Sequence, residues 1–138
     1  LDNRSLKGAG ASLGAGVVAA LPADACGLVE TARVVRWLAS ESAGQCGPCV
    51  FGLAAIAGGL DDLVRGHNAQ RAHADLRRWL TLVQGRGACR HPDGVARLVE
   101  SCLDTFEAEI AAHAHHGGCP AVNRPPVLPV PNPSAGWR

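Results

Sequence analysis

Between Asp24 and Ala114 the apolar residues recur four times at the spacing of an amphipathic helix, with a glycine- or proline-containing break before each new run. In the first run Leu28, Ala32, Val35, Leu38 and Ala39 share one face while Glu30, Arg33, Arg36 and Ser40 lie off it, and Asp24 is placed to cap its start. The second begins near Pro48, tolerated in a first turn because the N–H it lacks would be unpaired there anyway, and carries Leu53, Ile56, Ala57, Leu60 and Val64. Its opening, from Cys49 to Ala57, is apolar on every side and is expected to be deeply buried, with Gly58-Gly59 a weak point for straightness. Asn68 is placed to cap a third run of Ala69, Ala72, Leu76, Leu80 and Val83, with Arg71, Arg77 and Arg78 on a solvated face. Asp93 does the same for a fourth, in which Val95, Leu98, Val99, Cys102, Phe106 and Ile110 form the stripe and Cys102 reads as a small core residue.

Four helices joined by short loops predict an all-α fold, a small four-helix bundle. Aromatics are only 4% of the chain and Tyr and Met are absent, so the core has to be built from Ala, Leu and Val, which suits closely packed helices. The 138 residues suffice for one such core. Residues 1–23 read as a linker or the end of a preceding domain, Gly-rich and then a short strand over Val17–Pro22. Residues 24–114 form the helical domain, and 115–138 an extended Pro-rich tail. The glycine run has neither the Lys-Ser/Thr of a P-loop nor a dinucleotide fingerprint. Opening on Leu1 in mid-phrase, the chain is expected to be a piece of a longer polypeptide.

A net charge of +1 makes no electrostatic case for nucleic acid or an anionic membrane. No run approaches the ~20 apolar residues of a membrane span, and the N-terminus lacks the order of a secretory signal, so no direct membrane insertion and a cytoplasmic location are expected. There the six cysteines, 26, 46, 49, 89, 102 and 119, are reduced thiols by default, and a C-x-x-C is a metal or redox motif before it is a staple.

That motif, Cys46-Gly47-Pro48-Cys49, falls between the first two helices, and Cys89 between the last two. In an up-down-up-down bundle both loops follow an odd number of passes and emerge at one end, so the three thiols can converge. A position between helices disfavours a thioredoxin-like dithiol and leaves zinc, with His91 as a fourth ligand, or an iron–sulfur cluster. Gly44, Gly47 and Gly87 favour the cluster by letting backbone N–H groups approach sulfur, as do two helix N-termini aimed at the site and the water-excluding apolar run after Cys49. His113, His115 and His116 with Cys119 have the donor types of a zinc site but lie at the start of the tail, where they read as surface polarity. Pro126-Val127-Leu128-Pro129 is likewise read as structureless tail before recognition motif. Nucleophilic catalysis by Cys46 or Cys49 lacks a histidine nearby in sequence, and no catalytic residue is assigned.

The phrases "SLGAGVV", "LASESAGQCGPCVFG" and "GRGACRHPDG" resemble the iron–sulfur-binding region of the NADH-binding flavoprotein (the F subunit) of respiratory complex I and its hydrogenase and formate dehydrogenase relatives, over about residues 5–114. The resemblance implies a four-helix bundle holding a 4Fe-4S cluster beside a flavin, through C-x-x-C-x-x-C and one later cysteine. Carried across, Cys46, Cys49 and Cys89 are cluster ligands, while the first cysteine of the triplet falls on Ala43, whose methyl group cannot bind iron. Water or hydroxide, Glu41, Ser42, His91, Cys26 or Cys102 could fill that corner, or the cluster is 3Fe-4S; on a continuous helix Cys26 would lie roughly 25 Å from Ala43. The implied role is electron relay from a flavin on an upstream NADH-binding domain to a ferredoxin-like or other redox subunit. FMN and NAD would belong to that upstream domain, so this chain alone is not expected to be catalytic. The competing reading is a cluster-free or zinc-bound helical module that docks a subunit.

Overall fold

The computed structural model describes residues 2–8, 10–11 and 18–131. After a short helix α1 (Asn3–Gly8), the four runs become α2 (Gly27–Ser40), α3 (Leu53–Arg65), α4 (Ala69–Val83) and α5 (His91–Thr105), and α6 (Glu107–His116) follows. Helix α2 packs on α3, α3 on α4, α4 on α5 and α5 back on α2, which closes a four-helix ring, and α6 lies across α3, α4 and α5. The described residues contain no strand: 18–22 have no regular structure, and Val17, with the rest of "SLGAGV", lies outside them.

The core is aliphatic, as the composition requires. Leu28, Val35, Leu53, Ile56, Leu60, Leu63, Leu76, Val95, Val99 and Leu103 are each no more than 1% exposed. Helix α3 runs unbroken through Gly58-Gly59, and a Cβ on Gly59 would stand 2.9 Å from Trp79 and 3.0 Å from Leu76. The missing side chain is what lets α3 and α4 approach. Cys102 is buried in the same core, and that burial pushes its thiol up to about 11.

Several expected details resolve differently. Helix α2 is capped by Cys26, whose Sγ accepts the Val29 N–H at 3.4 Å, while Asp24 pairs with Arg124 at 2.9 Å. Asn68 adopts φ 44° and its side chain caps nothing. Helix α5 begins at His91, so Asp93 sits inside its first turn and accepts the Gly85 N–H at 2.8 Å, tying the preceding loop to the helix. The fourth run breaks at Phe106. Its ring fills the space beside Gly27, where a Cβ would lie 2.1 Å from it. The second run opens as a wide π turn over Pro48–Gly52 that buries Cys49 but leaves Val50 46% and Phe51 75% exposed, so this stretch is not deeply buried.

The segment after α6 is expected to be extended, but it includes a 3-10 turn over Pro120–Asn123 and is held down. Gly117 and Gly118, at φ 75° and 124°, turn the chain so that the Cys119 N–H donates to Val64 O at 2.8 Å. Glu30, buried beneath, accepts the N–H groups of Val127 at 3.0 Å and Leu128 at 2.9 Å. Arg33, paired with Glu30, donates to Val122 O at 3.3 Å.

One turn is sensitive to a single methyl group. Gly66 ends α3 at φ 72°, and a Cβ there would lie 2.5 Å from the Gly118 nitrogen. Gly66→Ala is expected to cost about 1–3 kcal/mol, read from urea unfolding. Gly85→Ala is the control, because Gly85 has the same φ of 72° but open space around it.

Candidate functional site

Two loops meet at one end of the ring: residues 41–47 after α2 and residues 84–90 after α4. The neighbouring backbone N–H groups of Ala88 and then of Cys49, with the Cys49 thiol, hold the Cys46 thiol below its ordinary pKa despite slight desolvation. Cys49 moves the other way: burial first, then the neighbouring Cys46 and Cys89 thiols, raise its pKa against the opposing N–H of Gly44. Cys46, Cys49 and Cys89 are thus neighbours from two loops, with Cys49 buried, Cys46 half-buried and Cys89 exposed.

The local fold explains the approach. Gly44 turns the first loop at φ 61°. In the second loop a Cβ on Gly87 would stand 2.8 Å from Cys89 O and 2.7 Å from Pro92, so only glycine fits there. The Cys49 N–H belongs to the opening turn of the π segment, one of the orphan donors of a helix N-terminus. His91, at the start of α5, is hydrogen-bonded through Nε2 to Leu38 O at 2.9 Å, pinning α5 to the end of α2. Ala43 is exposed and its carbonyl accepts from Gln45 Nε2 at 3.2 Å. Cys26 starts α2 and so lies at the opposite end of the ring, while Cys102 is in the later part of α5, beside the Thr31 hydroxyl.

The histidines divide. His115 and His116 are exposed, but His113 is buried, together with Cys119, and Cys26 joins them. The ligand atoms of Cys26, His113 and Cys119 all lie within 4.8 Å of one another. The sequence signals His113 and Cys119 by residue type; Cys26 carries none, because 87 residues separate it from His113. Burial, followed by the Glu109 and Cys119 side chains, pushes Cys26 up to about 12.

The helices form a ring that carries thiols from two loops at one end. A family model, the NADH-ubiquinone oxidoreductase-F iron–sulfur binding region, matches residues 29–113, and the chain belongs to that family. It is 28% identical over 120 residues to the NADH-quinone oxidoreductase F subunit 2 of Rhizobium meliloti (strain 1021), covering 87% of this chain and 28% of that protein. It is 28% identical over 131 residues to the NADH-quinone oxidoreductase F subunit of Mycobacterium tuberculosis (strain ATCC 25618 / H37Rv), covering 93% and 29%. With the corresponding F subunit of Rickettsia felis (strain ATCC VR-1525 / URRWXCal2) the identity is 30% over 111 residues, covering 80% and 26%. The chain therefore spans under a third of the length of these relatives. Among the described residues, no helix is long and apolar enough to cross a membrane.

Proposed function

We propose that residues 24–114 are the electron-relay unit of a larger NADH dehydrogenase-like oxidoreductase, in which Cys46, Cys49 and Cys89 hold a 4Fe-4S cluster. The observation that carries this reading is the placement of the thiols: Cys46 and Cys49 follow α2 and Cys89 precedes α5 at the same end of the ring, inside the matched family region. Three thiols at one end of a helical ring are chemically suited to an anionic iron–sulfide group. When bound, such a cluster takes up and gives back an electron at a potential set by its surroundings.

This chain's own residues do the rest. The amide donors stabilise negative charge on Cys46 and Cys49, and Leu53, 0% exposed behind Cys49, keeps water from that side. Phe51 at 75% and Leu82 at 48% exposure line one apolar depression with Gly47 and Pro48 of the C-x-x-C, fit for a ferredoxin-like or other redox partner. The electron donor is a flavin on an upstream NADH-binding domain, of which residues 1–23 are the end; FMN and NAD bind there, and this chain alone does not turn over NADH. The name its relatives carry, as F subunits of NADH-quinone oxidoreductase, supports this placement. Residues 115–138 are the Pro-rich C-terminal part of this chain, and Val127 and Leu128 within it are hydrogen-bonded to Glu30 of α2.

Ala43 leaves one corner to Glu41, Ser42, His91 or solvent, since Cys26 and Cys102 lie elsewhere in the ring. It also motivates the second reading, a cluster-free or zinc-bound docking module. Anaerobic purification separates the two: roughly three or four irons with matching sulfide per chain and a cluster EPR signal support the relay, whereas iron-free protein of unchanged thermal stability overturns it. Ala43→Cys is then expected to slow the loss of visible absorbance in air several-fold, because the added thiolate closes the open corner.

A further inference from the structure

At the end of the bundle away from Cys46, Cys49 and Cys89, three buried side chains from three separate segments meet. Cys26 caps α2, His113 lies in the last turn of α6, and Cys119 follows the Gly117-Gly118 turn. They are 9%, 7% and 8% exposed, and their ligand atoms all lie within 4.8 Å of one another. Cys26 Sγ stands 3.7 Å from His113 Nε2. A tetrahedral zinc with Zn–S near 2.3 Å and Zn–N near 2.0 Å sets its ligand atoms about 3.3–3.8 Å apart, so the observed group needs only a small contraction.

Packing alone does not account for this arrangement. A histidine that merely fills core space finds hydrogen-bond partners, yet His113 Nδ1 is buried with none among the described residues. Its other nitrogen faces a thiol, a weak partner. A fourth oxygen donor is close by, since Glu109, one helical turn before His113, places Oε2 3.2 Å from Cys26 Sγ. Two thiolates, an imidazole and a carboxylate suit zinc rather than magnesium or calcium.

We propose that Cys26, His113 and Cys119, with Glu109 as the neighbouring fourth donor, form a structural zinc site that fastens the C-terminal segment to the start of α2. Binding expels two thiol protons to solvent and places the anionic site at the α2 N-terminus, where the Val29 N–H already points at Cys26 Sγ. The site is independent of the cluster at the other end of the ring, and each can fail without the other.

The test measures zinc and iron separately in the full chain, purified anaerobically under reducing conditions. The expected result is one zinc per chain, lost in Cys26→Ser and in Cys119→Ser with iron unchanged, and retained in Cys89→Ser and Cys102→Ser. Serine is itself a good helix cap, so Cys26→Ser should fold. As a second measurement, cobalt added to a zinc-stripped Cys46→Ser/Cys49→Ser/Cys89→Ser chain should give thiolate charge-transfer and tetrahedral d–d bands that Cys119→Ser abolishes. The proposal is overturned if zinc is absent from the purified chain and cobalt gives no such bands, or if Cys26 and Cys119 prove to be joined as a disulfide.

Discussion

Cys89→Ser is expected to strip the chain of iron and loosen the loop end of the bundle. Cys89 is the exposed member of the three thiols and the one supplied by the second loop, so its loss leaves only the C-x-x-C pair of a single loop. Two effects then add. Iron loses a thiolate at a site where Ala43 already withholds one, which leaves only two cysteine ligands. On the proposed ligand set a tie between the two loops would also be broken: bridging Cys49 to Cys89 through a rigid inorganic core would close a loop of about 40 residues, worth about 4 kcal/mol on the chain-entropy estimate used for disulfides. Against a domain stability of about 5–15 kcal/mol that is a large fraction. The measurements are iron and sulfide per chain and the midpoint of anaerobic thermal unfolding, with Cys102→Ser as a core-thiol control that keeps its iron. An unchanged iron content in Cys89→Ser would remove this residue from the ligand set and the relay proposal with it.

The periodic part of the fold is legible because burial and pattern are the same fact. Helix α4 runs Ala69–Val83, the first and last residues of its apolar stripe, because that stripe is what packs on α3 and α5. That the loops carrying Cys46, Cys49 and Cys89 leave the ring at one end is readable too, since counting helical passes is enough. The rest depends on partners far away in the chain. Nothing near Phe106 announces that the helix ends there: its ring packs against the bare Cα of Gly27, far away in the chain, and the apolar continuity from Cys102 to Ile110 hides the break. Cys26 as a cap is invisible because a thiol near an apolar run looks like core. The wide turn at Pro48–Gly52 rotates Phe51 outward, a change of register that residue type does not encode.

Glu30→Ala is expected to destabilise the protein by about 3–5 kcal/mol and to free the C-terminal segment first. On helical spacing Glu30 lies off the apolar stripe and reads as solvated, but it is only 4% exposed because the tail covers it. Its carboxylate accepts the N–H groups of Val127 and Leu128 and pairs with Arg33, whose guanidinium reaches the carbonyls of Val122 and Arg124. Removing the carboxylate leaves Arg33, itself only 18% exposed at the side chain, without its counter-charge, and leaves two amides of the tail without their acceptor. Glu30→Gln keeps one acceptor oxygen and should lose less. The surface pair of Arg36 with Asp61 sets the scale for comparison: with side chains 56% and 31% exposed, its removal by Asp61→Ala should cost no more than about 1 kcal/mol. Limited proteolysis separates a local from a global effect, because thermolysin cleavage before Val122 should accelerate in Glu30→Ala under conditions where the helical core still resists. Equal cleavage rates in the wild-type chain and Glu30→Ala, with a stability loss no greater than that of Asp61→Ala, would mean that the tail is not held by this carboxylate and that Glu30 is solvated after all.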